Sequence, residues 1–434
     1  MTAMEPSSLV EAARTLDCIH CGLCLNTCPT YRLTGVESAG PRGRVHLMRA
    51  VAEGELEADA GFAEEMNACL LCRHCESVCP SGIRMGTMME FTRGGLERHG
   101  RRPLWSRAAR WLGFRLVLPR RGLVSVLAGA LRLAQRSGLV RLAPALLGSR
   151  GAGLPHLPGV PPASERGALP ARTPAQGETH GRVGVLDGCV MPILFGRVNR
   201  ATVRVLAACG FEVHSPPRAT CCGSLHAHNG DLEAARSLAR GTIAAHEDLL
   251  DLDGTPAPIV VNSAGCGSHM KEYGELLADD PAWSRRARDF AARVVDFSEH
   301  LAASPDDLLD AALSGRSADL AGPVVWDDPC HLCHGQGVRD QPRSLLDRVS
   351  GAERVDLAES ESCCGSAGVY SLTHPEPSAA ILDERLTALA ATGAKTLVTA
   401  NPGCQLQWAA GVRRAGLEVE VLHLAEVLGR ALDD

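Results

Sequence analysis

Four short runs of apolar, β-branched residues punctuate the chain beyond residue 180: VGVLD before Cys189, PIVVN before Cys266, VVWDD before Cys330 and TLVTA before Cys404. Runs of this length predict buried strands of a parallel sheet, covered on both faces. VNRATVRVLAAC and AAILDERLTALAATG, between or after them, repeat apolar residues at helical spacing. Strands alternating with helices predict an α/β fold with crossover helices. Each named cysteine then lies just past a strand end, on the sheet edge where ligands commonly bind.

The pattern occurs twice. Cys189, Cys221-Cys222-Gly223 and Cys266 recur as Cys330, Cys363-Cys364-Gly365 and Cys404, at offsets of 141, 142 and 138 residues. The flanking words NSAGCG and NPGCQ match as well. A repeat of this kind predicts two cysteine-rich α/β domains, 181–320 and 321–434. Adjacent cysteines are poorly placed to bond each other, but both thiolates can face one metal site from a tight turn. Gly223 and Gly365 permit the close backbone approach such a turn needs. The candidate sites are Cys189, Cys221, Cys222 and Cys266 in the first half, and Cys330, Cys363, Cys364 and Cys404 in the second. Each half stays open between an iron–sulfur cluster, a thiol-based redox site and a structural remnant. Cys333 is either a further ligand or an ordinary buried thiol. Cys209 ends an apolar helical pattern and is expected in the core.

Residues 1–100 carry a denser signal. Cys18-x2-Cys21-x2-Cys24-x3-Cys28-Pro29 is followed by Cys69-x2-Cys72-x2-Cys75-x3-Cys79-Pro80. This is the spacing of [4Fe-4S] ligation in two-cluster ferredoxins, whose fourth cysteine serves the other cluster. The motif rule therefore assigns Cys18, Cys21, Cys24 and Cys79 to one cluster, and Cys69, Cys72, Cys75 and Cys28 to the other. Thiolates are soft donors that suit iron. Zinc would need only four thiolates in a closed tetrahedron, and two complete runs of four do not suggest it. Arg73 and His74, inside the second motif, either tune and dock or simply meet solvent.

Between these regions, residues 101–150 hold eleven arginines and no acids, with recurrent Leu, Val and Trp. A helix built from them could lie on an anionic membrane or pack on a neighbouring protein surface. Residues 151–180 are rich in Pro and Gly and are expected to form a linker without regular elements. No apolar stretch reaches the roughly 20 residues that span a bilayer. The opening MTAMEPSSLVEAAR lacks a basic segment followed by an apolar one, so 18 cysteines point to a reducing compartment with metal-ligating thiolates. A net charge of -6 and 3% aromatic residues argue against a nucleic-acid partner. No Gly-x-Gly-x-x-Gly fingerprint supports a flavin or nicotinamide site on this chain.

The words CIHCGLCLNTCPTYRLTGVESAGPRGRVHLM, CLLCRHCESVCPSGIRMG, NSAGCGSHMKEYGELL, CCGSAGVY and NPGCQLQ resemble the iron–sulfur subunits of glycolate oxidase. These lie within the wider group of ferredoxin-type proteins with heterodisulfide-reductase-like cysteine-rich domains. The resemblance implies a multidomain α+β/α/β chain: a mainly helical two-cluster ferredoxin-type domain, then two repeated α/β cysteine-rich domains. It implies two [4Fe-4S] clusters on the first eight cysteines, and one or two more in the repeats. It also implies FAD on partner subunits that oxidise glycolate to glyoxylate, with electrons passing to a quinone or another acceptor. The isolated chain would then be inactive towards glycolate. The expected location is the cytoplasm, with peripheral attachment to the inner face of the cell membrane left open. Equivalent subunits of anaerobic glycerol-3-phosphate dehydrogenase or a lactate oxidoreductase, and a heterodisulfide-reductase-like subunit, share the architecture. His269 and Gln407 depart from the fuller five-cysteine pattern of heterodisulfide reductase, which leaves ligation in the repeats open.

Overall fold

Two parallel sheets share one strand order. The first contains β1 (Arg172–Thr173), β2 (Gly181–Val185), β3 (Phe211–His214), β4 (Ile259–Val261) and β5 (Val294–Asp296), arranged β1-β3-β2-β4-β5. The second contains β6 (Val324–Trp326), β7 (Arg354–Val355), β8 (Thr396–Thr399) and β9 (Glu420–His423), arranged β7-β6-β8-β9. With the antiparallel β1 set aside, each half places its second, first, third and fourth strands side by side in parallel register. The sequence repeat is therefore a repeat of topology. The computed structural model describes residues 12–99, 104–151, 154–219, 221–314, 316–349 and 351–433; most of the opening segment considered above lies outside them.

The four runs predicted as strands are β2, β4, β6 and β8. β2 with β4, and β6 with β8, flank the point in each sheet where the winding direction reverses. A crevice opens there, beyond the carboxyl ends of the strands. The predicted helices are Gly196–Ala208 and Pro375–Thr392. One apolar core runs through both halves, joining Val183, Val205 and Val260 to Val324, Val398 and Leu422. Gly429 lies so close to Ala201 that an added Cβ would meet its Cβ at 3.0 Å. His423 Nε2 donates to the Asn262 carbonyl at 2.9 Å, tying β9 to the end of β4.

The N-terminal region is helical: Pro29–Thr34, Pro41–Ala52, Ala60–Asn67 and Met85–His99. Proline stands in the first turn of the first two, where its missing N–H costs nothing. Asp59 caps the third by accepting from Phe62 N at 2.9 Å. Their apolar faces meet around Val45, Met48, Phe62, Met66 and Met89, and Cys18, Cys69, Cys75 and Cys79 pack against this core.

The arginine-rich region is helical and packs on the first repeat. Helix Arg121–Arg136 seats Val124, Ala128 and Leu131 on Val160, Ile193 and Leu194. Arg121 pairs with Asp187 at 2.9 Å. Its outer face leaves Val126 and Leu133 each 69% exposed. Among the described residues no single helix is long and apolar enough to cross a membrane; Arg121–Arg136 and Leu139–Leu147 pass only as a pair bent by 86°.

The Pro/Gly-rich segment departs from expectation. Arg172–Thr173 forms β1, antiparallel to β3 at the sheet edge. Val160 and Leu169 are buried. Prolines suit an edge strand, where one row of N–H groups faces away from the sheet, so the segment is a strap rather than a free tether.

Candidate metal centres

The two N-terminal cysteine loops adopt the same backbone path. His20 and Leu71, each two residues after the first cysteine of its motif, have φ of 55° and 56°. Gly22 and Arg73, each one residue after the second cysteine, have φ of 83° and 63°. Left-handed non-glycine residues cost of order 1 kcal/mol and persist only where their surroundings hold them. Arg73 is held by Glu76 at 2.9 Å, Glu272 at 2.8 Å and Ser268 Oγ at 3.1 Å. These turns curl each loop so that its cysteines face inward.

One cavity is lined by Cys18, Cys21, Cys24 and Cys79, and a second by Cys28, Cys69 and Cys72; Cys75 borders both. All eight cysteines are free thiols. Around Cys28, Thr30 Oγ1 lies 3.2 Å from the sulfur, and Arg44 donates to that hydroxyl at 3.1 Å. Leu71 N donates to Cys69 Sγ at 3.4 Å. Thiol-rich walls with N–H and O–H donors nearby match the donor chemistry of an iron–sulfur cluster.

The repeats gather their cysteines at the switch points. In the first half the thiols touch in the order Cys189, Cys221, Cys222, Cys266. In the second the order is Cys330, Cys363, Cys364, Cys404. Gly223 and Gly365 follow the cysteine pairs with φ of 89° and 85°. A Cβ on Gly365 would sit 2.7 Å from the Ser378 carbonyl, so only glycine fits. Backbone N–H groups of Ser224 and Gly365 point at Cys222 Sγ and Cys363 Sγ, both at 3.4 Å. Asn401 Nδ2 donates to Cys404 Sγ at 3.3 Å. Arg385, almost fully buried, donates to the carbonyls of Ala358 at 2.8 Å and Glu359 at 2.5 Å, bracing the turn before Cys363.

Cys333 stands apart from this set. Its sulfur faces the carbonyls of Asp328 and Cys330 at 4.0 and 3.9 Å, and burial pushes the thiol well up. Cys209 lies in the shared core, its thiol pushed up to about 12 by burial. Gln407 Nε2 donates to Ser378 Oγ at 3.0 Å. His269 is buried, with Nε2 unpartnered and its ring edge-on to Tyr273.

Both repeats pack on the N-terminal region, but it is the second that brings a thiol against its cavities. Cys363 touches Cys72 as well as Cys330 and Cys364. Leu70, Cys72, Cys363, Tyr370 and Ile381 form one buried group. His74 stacks on His334 with centroids 4.1 Å apart and the planes 16° from parallel. Those nitrogens and Glu361 lie within 4.8 Å of one another, but stacked rings aim their lone pairs in parallel, and Arg339 already pairs with Glu361. His74 is thus a docking contact.

A titratable cluster fills the junction of the three domains. Glu90 Oε1 lies 2.6 Å from His228 Nδ1. The His228 ring is 5.1 Å from His331 and 6.3 Å from His269. His331 Nε2 donates to the Leu71 carbonyl at 2.9 Å. Burial raises Glu90 from an ordinary 4.5 to about 7, against the pull of His269, Arg73 and Arg93. Burial, then Arg93, lowers His228 from 6.5 to about 4. A carboxyl raised on folding stabilises most below its unfolded value and loses that contribution as pH rises through the folded one. Relative to Glu90→Gln, the wild type should therefore lose about 2.5 kcal/mol between pH 5 and pH 8. Guanidinium melts of both proteins, run anaerobically, check this; a difference independent of pH would contradict it.

Neither Glu90 nor His228 carries a spacing signal. The one hint is local: His226 and His228 follow the first Cys-Cys-Gly closely, and His226 lies against Cys221.

Residues 14–83 match the family described as 4Fe-4S dicluster domain, and residues 183–271 and 324–408 each match the family described as Cysteine-rich domain. The chain is 37% identical over 431 residues to the probable glycolate oxidase iron-sulfur subunit of Bacillus subtilis (strain 168), covering 96% of this chain and 94% of that protein. It is 35% identical over 436 residues to the glycolate oxidase iron-sulfur subunit of Escherichia coli (strain K12), covering 99% and 96%. Lactate utilization protein A of Bacillus cereus (strain G9842) is 32% identical over 247 residues, covering 57% of this chain and 98% of that protein. With a helical dicluster region, two cysteine-rich α/β repeats and full-length relatives of this kind, the chain belongs to the family of glycolate-oxidase-type iron–sulfur subunits, redox-active electron-transfer components of oxidoreductases.

Proposed function

We propose that this chain relays electrons for a glycolate-oxidising complex, from FAD-bearing partner subunits towards a quinone or another acceptor. Contact between Cys72 and Cys363 carries the reading. It makes a continuous row of thiol sites: the Cys18 cavity, the Cys28 cavity across Cys75, then the second repeat. In this reading Cys18, Cys21, Cys24 and Cys79 hold one [4Fe-4S] cluster, and Cys69, Cys72, Cys75 and Cys28 hold the other. Cys330, Cys363, Cys364 and Cys404 hold a third, and Cys189, Cys221, Cys222 and Cys266 supply a further candidate site. Clusters bound there would supply one-electron redox chemistry. The chain's own contribution is to place the thiolates, aim N–H donors at their sulfurs, and bury the sites from water.

Substrate chemistry belongs to the partners in this reading. The full-length likeness to two glycolate oxidase subunits favours glycolate over lactate, since the lactate utilization match covers only 57% of the chain. The exposed apolar face of Arg121–Arg136 supports peripheral attachment to a membrane. Anaerobic copurification, with iron, sulfide, zinc and flavin measured on the complex, tests the whole reading. The expected result is FAD-containing partners, iron with equivalent labile sulfide, and no glycolate turnover by the chain alone. Zinc without iron or sulfide would overturn it, as would robust turnover by the chain without a flavoprotein.

A further inference from the structure

Glu90 is the buried acid at the junction of the three domains, and its surroundings leave it without a cation of its own. Its side chain meets His228 Nδ1 at 2.6 Å. Arg93, on the same helix, spends its guanidinium on the carbonyls of Met66, Asn67, Cys69 and His228. Arg73, from the second cysteine loop, pairs with Glu76 and Glu272, and Glu272 also takes Arg84 at 3.0 Å. His269 and His331 complete the ring of titratable groups; burial lowers both imidazoles, so neither brings a positive charge near neutral pH. Solvent comes close on one side. The His228 side chain keeps 18% of its surface exposed, and the residue lines a cavity of about 160 Å3 with Asn67, Arg93, Arg110, Asn229, Thr373 and His374. Polar walls and this volume suit several waters. Neutral His228 can accept through Nδ1 from a protonated Glu90 while donating through Nε2 to Ser224 Oγ at 3.2 Å, and its other tautomer serves the ionised carboxylate. One imidazole thus fits both states of the acid and can pass a proton to it.

Three thiol sites flank this junction. The Glu90 helix reaches the Cys69 carbonyl through Arg93. His331 adjoins Cys330 and donates to the Leu71 carbonyl at 2.9 Å. Helix Ala264–Lys271 carries both Cys266 and His269. Negative charge added at such a site acts on Glu90 through buried protein, where charges interact more strongly than in water, and it favours the protonated carboxyl. We propose that Glu90 is the proton acceptor of the electron relay: it takes up one proton when an electron arrives at an adjoining cluster and releases it when the electron leaves. The electron comes from the reduced flavin of the partner. The proton comes from water, by way of the cavity and His228, and the O–H bond of Glu90 is the one bond made. By reciprocity, the bound proton makes the electron easier to add. Burial already raises the Glu90 carboxyl to about 7, which places the exchange near neutral pH. The assignment rests on the clusters of the electron-relay reading above and not on the partner's substrate.

Potentiometric titrations of the full chain, purified anaerobically with its clusters and followed by electron paramagnetic resonance from about pH 6 to pH 9, test it. The potential of at least one cluster is expected to fall as pH rises. The fall should correspond to at least a threefold preference of the reduced state for the proton, or roughly 30 mV at ~59 mV per tenfold for one electron. Glu90→Gln should flatten that fall, and Glu90→Asp should keep part of it. Redox-difference infrared spectra of the wild type decide the matter if Glu90→Gln loses its clusters. A protonated-carboxyl band should rise on reduction, shift in heavy water and shift again when glutamate carries a carbon isotope label. Potentials independent of pH, an equal fall in Glu90→Gln, or a band that ignores heavy water would each overturn the proposal. So would a band that ignores labelled glutamate, which would belong to an aspartate such as Asp327, buried near Cys364. A preparation without iron and labile sulfide would defeat the relay reading, whereas pH-independent potentials with the clusters in place would defeat this inference alone.

Discussion

Cys79→Ser is expected to remove about four irons from the anaerobically purified protein and to spare the cluster beside Cys72. Nearness in sequence predicts the opposite, because Cys79 is only four residues from Cys75. In the folded chain Cys79 shares a cavity with Cys18, Cys21 and Cys24, whereas Cys28 shares one with Cys69 and Cys72. Double variants make the test independent of assigning spectra. Cys21→Ser combined with Cys79→Ser should lose no more iron than either alone. Cys72→Ser combined with Cys79→Ser should lose about eight irons, two clusters' worth. Iron and labile-sulfide assays with electron paramagnetic resonance read both outcomes. If the first pair were additive, the crossed ligation would be wrong.

Arg93→Leu is expected to be the most destabilising single change outside the cysteines, by about 3–5 kcal/mol. Arg93 is buried on helix Met85–His99. It donates to the carbonyls of Met66 at 2.8 Å, Asn67 at 3.3 Å and Cys69 at 2.5 Å, and from the other side to that of His228 at 2.8 Å. One guanidinium thus holds the entry to the second cysteine loop and clamps it to the first repeat. Leucine leaves those carbonyls without this donor, and unmade hydrogen bonds cost more than made ones contribute. Arg93→Lys should recover only part of the loss, since a single ammonium cannot span the same fork. Guanidinium melts under anaerobic conditions, with iron content measured in parallel, check the effect. A loss below about 1 kcal/mol would mean that water replaces the fork.

The buried Glu90–His228 contact and the Arg93 fork occupy the same junction, and neither was legible beforehand. Both reach His228, more than a hundred residues along the chain, and no periodicity or motif links them to it. The helical connector shows the intermediate case. Its amphipathic character could be read from Leu, Val and Arg, but not that Val124, Ala128 and Leu131 would find Val160 and Ile193. The strap shows a miss. Its prolines and glycines spoke against any element, yet Arg172–Thr173 joins a sheet edge because β3 offers an unpaired partner there.

What the amino-acid order determined by itself is whatever lies within a few residues along the chain. That includes the spacing that curls each thiol loop, the apolar runs that became β2, β4, β6 and β8, and the repeat that became one topology used twice. Such features follow from covalent reach and burial, so they survive without knowledge of the partners. Tertiary structure alone decided that Cys72 meets Cys363 and not a thiol of the first repeat, and that Glu90 faces His228. Those relations depend on which faces of three domains pack together, and packing sums many weak contacts that no local pattern encodes.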